Sequence, residues 1–171
     1  MRWMWIDRIT FLEPARRLVA IKNISLAEDY LHDHFAADPG RGVPAQPVMP
    51  ASLIIEGMAQ TAGILVGHAE GFREKVILAK IGTAELTHDA PPGYTLRYTA
   101  VIRSLDPAGA ATEGTVELID PATARATIIG RIDLMFSHID QNMAGTAFPE
   151  HNFVFGDSFK TLLRMSGIMV G

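Results

Sequence analysis

Glu56 is the only charged residue in the apolar stretch 48–66, which reads VMPASLIIEGMAQTAGILV. A carboxylate in such surroundings is rarely left buried unless it is paired with another group or used in chemistry. Gln60 follows four residues later, so on a helix the two side chains lie on one face about a turn apart. The pattern fits an acid used in proton transfer, and it fits equally a buried carboxylate with a structural partner.

A histidine upstream supplies a complementary group. His34 lies in the segment 29–35, DYLHDHF, beside apolar residues and ahead of the stretch that holds Glu56. A neutral imidazole is available as a base at about pH 7, and an acid across a pocket would complete a general acid–base pair. The residues alone leave the base open, because five other histidines titrate in the same range: His32, His68, His88, His138 and His151.

The composition is that of one globular domain. The chain has 171 residues, 48% of them hydrophobic and 20% charged, which allows a sizeable buried core. Cysteine is absent, which excludes disulfides and thiolate metal sites. The net charge of -4 argues against a general basic surface, so nucleic acid is not expected as a partner.

The N-terminus and the apolar stretch indicate whether the protein is secreted or inserted in a membrane. The segment MRWMWIDRITFLEP has charges within its first eight positions and no uninterrupted apolar core of the kind that a secretory signal needs. A cytoplasmic protein is therefore expected. The stretch 48–66 is nearly long enough to span a bilayer, but it contains Pro50 and Glu56, and a central acid costs about 3 kcal/mol there. We predict a helix buried in protein and no membrane span.

The predicted elements are one long helix and several strands. The alternation of 94–102, YTLRYTAVI, predicts a half-buried strand. Shorter runs predict strands at 18–24, 76–81, 114–119 and 126–136, with turns at 106–109 (DPAG) and 120–123 (DPAT). A helix that is apolar all round must be covered on most sides, and a sheet curled about it does so with few elements. The predicted class is α+β, an antiparallel sheet wrapped around a long central helix.

Several short segments in a fixed order carry a family resemblance. They are WIDRI (5–9), LEP (12–14), VAIKNI (19–24), HF (34–35), PVMP (47–50), IEGMAQTAG (55–63) and LAKI (78–81). In this order the chain resembles the hot-dog-fold β-hydroxyacyl-acyl-carrier-protein dehydratases of the FabZ type. The resemblance runs from about residue 4 to 139, and several ordered motifs are far more specific than any single one.

The resemblance implies an activity and an assembly. Family members dehydrate a (3R)-hydroxyacyl thioester on acyl carrier protein to the trans-2-enoyl thioester, in fatty-acid or related lipid or polyketide synthesis. They use no metal or redox cofactor. By position in the motifs, His34 matches the catalytic base and Glu56 the catalytic acid. The family brings the two together from different subunits, so we expect a homodimer, with a trimer of dimers as a possible further assembly.

The start of the predicted helix supplies a third element. The backbone N–H groups near Ala51, Ser52 and Leu53 would point at a substrate carbonyl, with the positive end of the helix dipole behind them, as an oxyanion site. The simpler interpretation of Ser52 is a helix N-cap. Gln60 is predicted to orient rather than react, with its amide holding a backbone group or the loop that bears His34, and a satisfied buried amide explains it equally well.

Three departures from the family pattern surround these residues. Residues 36–46 form an apparent insertion after His34, which would reshape the entrance to the site. Ala51 stands where the family commonly has glycine, and its Cβ is tolerated only if φ is negative. Asp33 adds a charge just before His34, and we expect it to face solvent.

The chain also extends beyond the family pattern. We expect a hot-dog dehydratase domain at 1–140 and an added C-terminal helical extension at 141–171, with a helix start at Asp157 and Ser158. The extension carries many apolar residues, which require burial. It is predicted to pack on the same domain or across the dimer, and a lid over the substrate tunnel is the second hypothesis.

Two other functions fit the same residues. One keeps the fold and changes the substrate to coenzyme A thioesters, for a dehydratase or a thioesterase. The other is a non-catalytic acyl-binding homologue, against which the presence of both His34 and Glu56 argues. A carrier protein is usually acidic, so a local basic patch should flank the tunnel mouth. Its candidate residues are Arg41, Arg73, Lys75 and Arg103.

Overall fold

The computed structural model describes residues 3–33, 36–139, 149, 152 and 154–168. Within these residues one sheet has six strands, numbered along the chain: β1 (Arg8–Glu13), β2 (Arg17–Asn23), β3 (Val76–Leu86), β4 (Thr95–Asp106), β5 (Gly109–Ile119) and β6 (Ala126–His138). The helices described are α1 (Asp29–Asp33), α2 (Ala51–Ala69) and α3 (Asp157–Met165), with a short 3-10 turn at Pro39–Arg41.

Every pair of neighbouring strands in the sheet is antiparallel. The order across the sheet is β1-β2-β4-β5-β6-β3, so β4, β5 and β6 form a meander at its centre. β3 follows α2 in the chain and pairs with β6, which places it at one edge of the sheet, while β1 forms the other edge. The strand that leaves the central helix is therefore an edge strand.

The long helix α2 packs against the sheet and contacts β2 through β6. Side chains of β4 alternate, and Leu96, Tyr98 and Ala100 are fully buried beneath the helix. The backbones approach closely at Gly57, where an added Cβ would lie 2.6 Å from Cζ of Tyr98. The predicted α+β class, with a sheet around a central apolar helix, is confirmed.

The two predicted turns are built by aspartate side chains. Asp106 Oδ1 accepts hydrogen bonds from the backbone N–H groups of Ala108 (2.8 Å) and Gly109 (3.1 Å), where β4 turns into β5. Asp120 Oδ1 accepts from the N–H of Ala122 (2.8 Å) between β5 and β6. In both turns a carboxylate stands in for a backbone acceptor, which is the reason aspartate favours reversal.

The structure adds elements that the sequence pattern did not predict. β1 was not predicted, because of its six residues only Ile9 is buried and an edge strand shows little alternation. The short helix α1 was also missed. The strands β3, β4 and β5 are longer than expected, since the added residues at their ends are mostly small or charged and break the apolar alternation.

The described part of the C-terminal extension packs on the same chain. α3 contacts β1, and Ser166 Oγ accepts a hydrogen bond from the backbone N–H of Ile9 at 3.0 Å. Leu162 and Leu163 of α3 are buried. The helix begins at Asp157 after Gly156, so its predicted start is confirmed. Residues 140–148 lie outside the described residues.

Candidate active site

Glu56 lies in the second turn of α2, and its carboxylate is half-buried. Its Oε1 atom accepts two hydrogen bonds, from Nε1 of Trp3 at 3.2 Å and from Nε2 of Gln60 at 3.0 Å. Oε2 accepts no hydrogen bond from the residues that the structure describes. One oxygen is thus fixed by the protein and the other is open to a ligand.

Gln60 is buried, and both the oxygen and the nitrogen of its side-chain amide form hydrogen bonds. Its Oε1 accepts the buried backbone N–H of Trp5 at 2.9 Å. Its Nε2 donates to the carbonyl oxygen of Trp3 at 3.1 Å as well as to Glu56. Because the oxygen must face the Trp5 N–H, the amide nitrogen must face Glu56. Gln60 therefore ties the carboxylate to the N-terminal segment.

Two tryptophans complete this corner, and sequence reasoning assigned them no role in the site. Trp3 is 59% exposed, whereas Trp5 is buried, and their rings meet edge to face at 5.4 Å. Trp5 also meets the ring of Tyr30 at 5.2 Å. The only sequence signal was the presence of both tryptophans within the first five residues. The N-terminal segment thereby bridges α2 and α1.

α1 is anchored by a cluster of charged groups. The buried Lys22 places its Nζ atom 2.5 Å from Oε1 of Glu28 and 3.3 Å from Oδ1 of Asp7. Tyr30, in α1, donates its hydroxyl to Oε2 of Glu28 at 2.6 Å. Burial, and then the hydrogen bond to Glu28, raise the pKa of Tyr30 well above its ordinary value. α1 ends directly before His34, which lies outside the described residues.

The start of α2 presents unpaired backbone donors. Pro50 is the N-cap residue, and its carbonyl accepts the N–H groups of Leu53 (2.9 Å) and Ile54 (3.2 Å). Ala51 and Ser52 are exposed, and their N–H groups have no partner among the described residues. The interpretation of Ser52 as the N-cap is wrong, because Pro50, two residues before it, occupies that position. Two N–H groups therefore remain for a ligand at the positive end of the helix dipole.

An apolar groove of about 290 Å³ runs from Glu56 along α2. Its walls come from α2, from the first residues of β3, from β6 and from the C-terminal segment. The lining residues are Glu56, Ala59, Gln60, Gly63, Ile64, Val76, Ile77, Leu78, Phe136, Val154, Phe155 and Phe159. We call this the acyl-sized groove. Glu56 is its one acidic residue among those described.

The other predicted candidates lie elsewhere. His68, His88 and His138 do not line the acyl-sized groove, although His88 shares a second cavity of about 280 Å³ with Ala51. His151 and the side chain of His32 lie outside the described residues. Arg41 pairs with Asp38, and Arg103 pairs with Glu113.

Two searches of the described ranges are negative. In that part of the chain, no group of three or more histidine, aspartate or glutamate side chains is placed to hold a metal ion. No helix there is long and apolar enough to cross a membrane.

Comparison with known proteins places the chain in a family. The sequence profile of the FabA-like domain matches residues 2–115, about two thirds of the chain. The 3-hydroxyacyl-[acyl-carrier-protein] dehydratase FabZ of Campylobacter concisus is 36% identical over 103 residues, which cover 56% of this chain and 64% of that protein. The protein of the same name from Clostridium kluyveri is 29% identical over 141 residues, which cover 82% of this chain and 88% of that protein.

Solved structures show the same fold at low sequence identity. A variant of the acyl-CoA hydrolase from Staphylococcus aureus, in complex with coenzyme A, superposes with a TM-score of 0.57 over 88% of this chain and 86% of that chain. The two are 12% identical, so the likeness concerns the fold alone. With the profile match and the FabZ relatives, the chain belongs to the FabA-like family, as a FabZ-type member with the hot-dog fold.

Proposed function

We propose that the protein dehydrates a (3R)-hydroxyacyl thioester, carried on acyl carrier protein, to the trans-2-enoyl thioester, in fatty-acid or related lipid or polyketide synthesis. The family and the named relatives support this reaction. The observation that carries it is the position of Glu56, whose carboxylate lies at one end of an apolar groove with one oxygen held and one open. An acyl chain would lie in the groove with its hydroxyl carbon beside the acid.

Glu56 is the proton donor in this proposal. Hydroxide is a poor leaving group, so the β-hydroxyl must be protonated as the carbon–oxygen bond breaks and water departs. The two bonds to Oε1 leave Oε2 as the atom that would face the hydroxyl.

His34 is the base in this proposal. It removes the proton from the α-carbon, and the electron pair of that bond becomes the new carbon–carbon double bond. The anchoring of α1 by Lys22, Glu28 and Tyr30 would hold the residue just before the base in a fixed place. The resemblance to FabZ-type proteins assigns the base and the acid of one site to two subunits.

The helix start supports the charge that develops during the reaction. Loss of the α-proton puts negative charge on the thioester carbonyl oxygen. The N–H groups of Ala51 and Ser52, with the dipole of α2 behind them, would donate to that oxygen. The Cβ of Ala51 does not oppose this role, because the residue is helical and its φ is not positive.

The edge strand β3 supports a homodimer. It ends the sheet, and Ile77, Leu78 and Ile81 are 36%, 38% and 45% exposed. An edge strand with exposed apolar side chains can pair with a second copy of itself. Pairing there would also cover the acyl-sized groove, because Ile77 and Leu78 line it. A trimer of dimers stays a prediction, as does a cytoplasmic location.

The carrier is the less supported half of the proposal. Of the four basic candidates, Arg41 and Arg103 pair with acids, and Lys75 is buried. Arg73 is exposed and donates through Nε to the carbonyl of Glu70 at 3.3 Å. A carrier-protein surface built from these four candidates would therefore have to recruit residues that are buried or already have partners.

The decisive experiment supplies the protein with a 3-hydroxybutyryl thioester on acyl carrier protein and, separately, on coenzyme A. Formation of the enoyl thioester, followed by its absorbance, supports dehydration, and the ratio of the two rates identifies the carrier. Glu56→Gln and His34→Ala should each reduce kcat at least about a hundredfold, because each removes a proton-transfer group. Release of free thiol would identify a thioesterase, and binding without turnover an acyl-binding protein. Full activity in either variant would reject the assigned roles.

A further inference from the structure

The acyl-sized groove ends at the C-terminal segment. The side chains of α2 that line it recur along one face, from Glu56 through Gln60 and Gly63, and the next position on that face is Gly67. Phe155 packs directly on Gly67, since a Cβ there would lie 2.4 Å from Cζ of Phe155. The ring of Phe155 therefore fills the space into which the groove would otherwise continue.

Three residues of the segment form this closed end. Val154, Phe155 and Phe159 all line the groove, and we call them the end wall. The rings of Phe155 and Phe159 meet edge to face at 5.9 Å. Behind them, the ring of Phe72 meets Phe155 at 5.0 Å. The end wall is thus a packed aromatic cluster that belongs to the groove on one side and to the core on the other.

The end wall is fastened on both sides. Before it, Asn152 donates through Nδ2 to the carbonyl oxygens of Phe72 and Glu74, each at 2.9 Å. After it, Leu163 is fully buried and Ser166 accepts the backbone N–H of Ile9. A segment held by hydrogen bonds and buried apolar side chains keeps a fixed position. It acts as a wall rather than as a loose flap.

The space in front of the wall limits the length of an acyl chain. A volume of about 290 Å³ holds roughly ten methylene-sized groups if each occupies about 30 Å³, the share of a water molecule in the liquid. The rise of α2 places Gly67 about 16 Å beyond Glu56, and the ring of Phe155 takes up part of that length. Both measures agree on a chain of short or medium length.

We propose that the end wall, a feature of the C-terminal segment, restricts this protein to short and medium acyl chains of about ten carbons or fewer. The inference rests on the proposed function, and it names the class of acyl group that the site accepts. The wall is part of the binding site and takes no part in the proton transfers.

The test compares hydroxybutyryl, hydroxyoctanoyl, hydroxydodecanoyl and hydroxypalmitoyl thioesters on the carrier that the protein uses. We expect the protein to turn over the first two well, with kcat/KM at least about tenfold lower for hydroxypalmitoyl, because a few methylenes that do not fit cost this much. Phe159→Ala, at a half-buried position, should raise the ratio of hydroxydodecanoyl to hydroxybutyryl turnover about tenfold. Phe155→Ala should act in the same direction.

Phe11→Ala is the matched control. Phe11 is 43% exposed on β1 and is not among the residues that line the groove, so its removal should leave the chain-length profile unchanged. Turnover of hydroxypalmitoyl as fast as hydroxybutyryl by the unsubstituted protein would overturn the proposal. So would an unchanged profile in a folded Phe159→Ala variant.

A second measurement separates this inference from the proposed reaction. The affinity of the same acyl groups on pantetheine is measured by calorimetry, which needs no turnover. Affinity should rise with chain length up to about ten carbons and then fall, and Phe159→Ala should move the maximum to longer chains. This result without any turnover would reject the dehydratase and keep the end wall. Turnover that does not depend on chain length would support the dehydratase and reject the end wall.

Discussion

The amide of Gln60 donates to Oε1 of Glu56 at 3.0 Å, one turn along α2, while its oxygen accepts the buried N–H of Trp5 at 2.9 Å. Neither bond can be exchanged without leaving a buried donor unpaired. The carboxylate is therefore oriented by a side chain whose own orientation is fixed by the backbone.

Replacement of Gln60 by leucine should lower kcat about tenfold with little change in KM, because Glu56 loses a donor and not a substrate contact. The free energy of unfolding should fall by about 1–3 kcal/mol, since the Trp5 N–H is left unpaired. Steady-state kinetics and urea unfolding measure the two effects. Thr61→Val is the control: it removes a buried hydrogen bond to Gly57 on the same helix and should spare kcat. An equal loss of kcat in the Gln60 and Thr61 variants would show that Gln60 has a structural role only.

The two tryptophans should respond in opposite ways to replacement by phenylalanine. Trp3→Phe removes a donor to Glu56 from an exposed side chain, so kcat should fall roughly fivefold, equivalent to about 1 kcal/mol, at unchanged stability. Trp5→Phe removes an indole N–H that has no partner among the described residues, so kcat should hold while packing is lost. The reverse pattern would rule out a role for Trp3 at the carboxylate.

Two glycines on α2 should differ in sign when changed to alanine. At Gly57 the new Cβ would lie 2.6 Å from Tyr98 Cζ and 2.9 Å from the carbonyl oxygen of Trp5, so we expect about 1–3 kcal/mol of destabilisation. At Gly63 the nearest atom would be Cε1 of Phe136 at 3.5 Å, an ordinary contact. There the better helix propensity of alanine should stabilise by up to about 1 kcal/mol. Urea unfolding of both variants checks the signs, and destabilisation at both sites would contradict the spacing at Gly63.

Tyr98 should make the protein sensitive to base. Burial raises the pKa of its hydroxyl well above the ordinary value, and the hydroxyl has no partner among the described residues. A raised folded-state pKa leaves stability intact below about pH 10, the unfolded value, and removes it as the pH rises further. Tyr98→Phe should therefore reduce the loss of unfolding free energy above about pH 10. It should also stabilise at neutral pH, by about 1 kcal/mol or more.

Unfolding experiments on either side of that pH measure both effects of Tyr98→Phe. Tyr30→Phe is the comparison, because its hydroxyl also has a raised pKa but donates to Glu28 at 2.6 Å. That variant should lose stability at neutral pH. A destabilised Tyr98→Phe would show that its hydroxyl has a partner in the folded protein.

The parts of the site that follow local rules could be predicted from the sequence. Glu56 and Gln60 stand out because an acid and an amide four residues apart share a helix face, and the structure joins them directly. The turns at Asp106 and Asp120 follow from the reach of an aspartate side chain to N–H groups two residues on. These relationships involve neighbours in the chain, so pattern and spacing are sufficient.

The parts that depend on long-range packing could not be predicted. Trp3 meets Glu56 from 53 residues away, and Phe155 meets Gly67 across about half of the chain. Nothing in the local sequence of either pair encodes the partner. The role of His34 stays a prediction, because the residue lies outside the described residues. Its support is the family match and the anchored helix that precedes it.

Glu56, the proposed proton donor, and the end wall are both fixed to one rigid helix, α2. Glu56 is part of α2, and Phe155 is seated on Gly67 of the same helix, so the distance between them is set by helical rise and cannot stretch. α2 thus sets the distance between Glu56 and the closed end of the groove. Substitutions in the end wall can therefore change the maximum length of the acyl chain without disturbing Glu56.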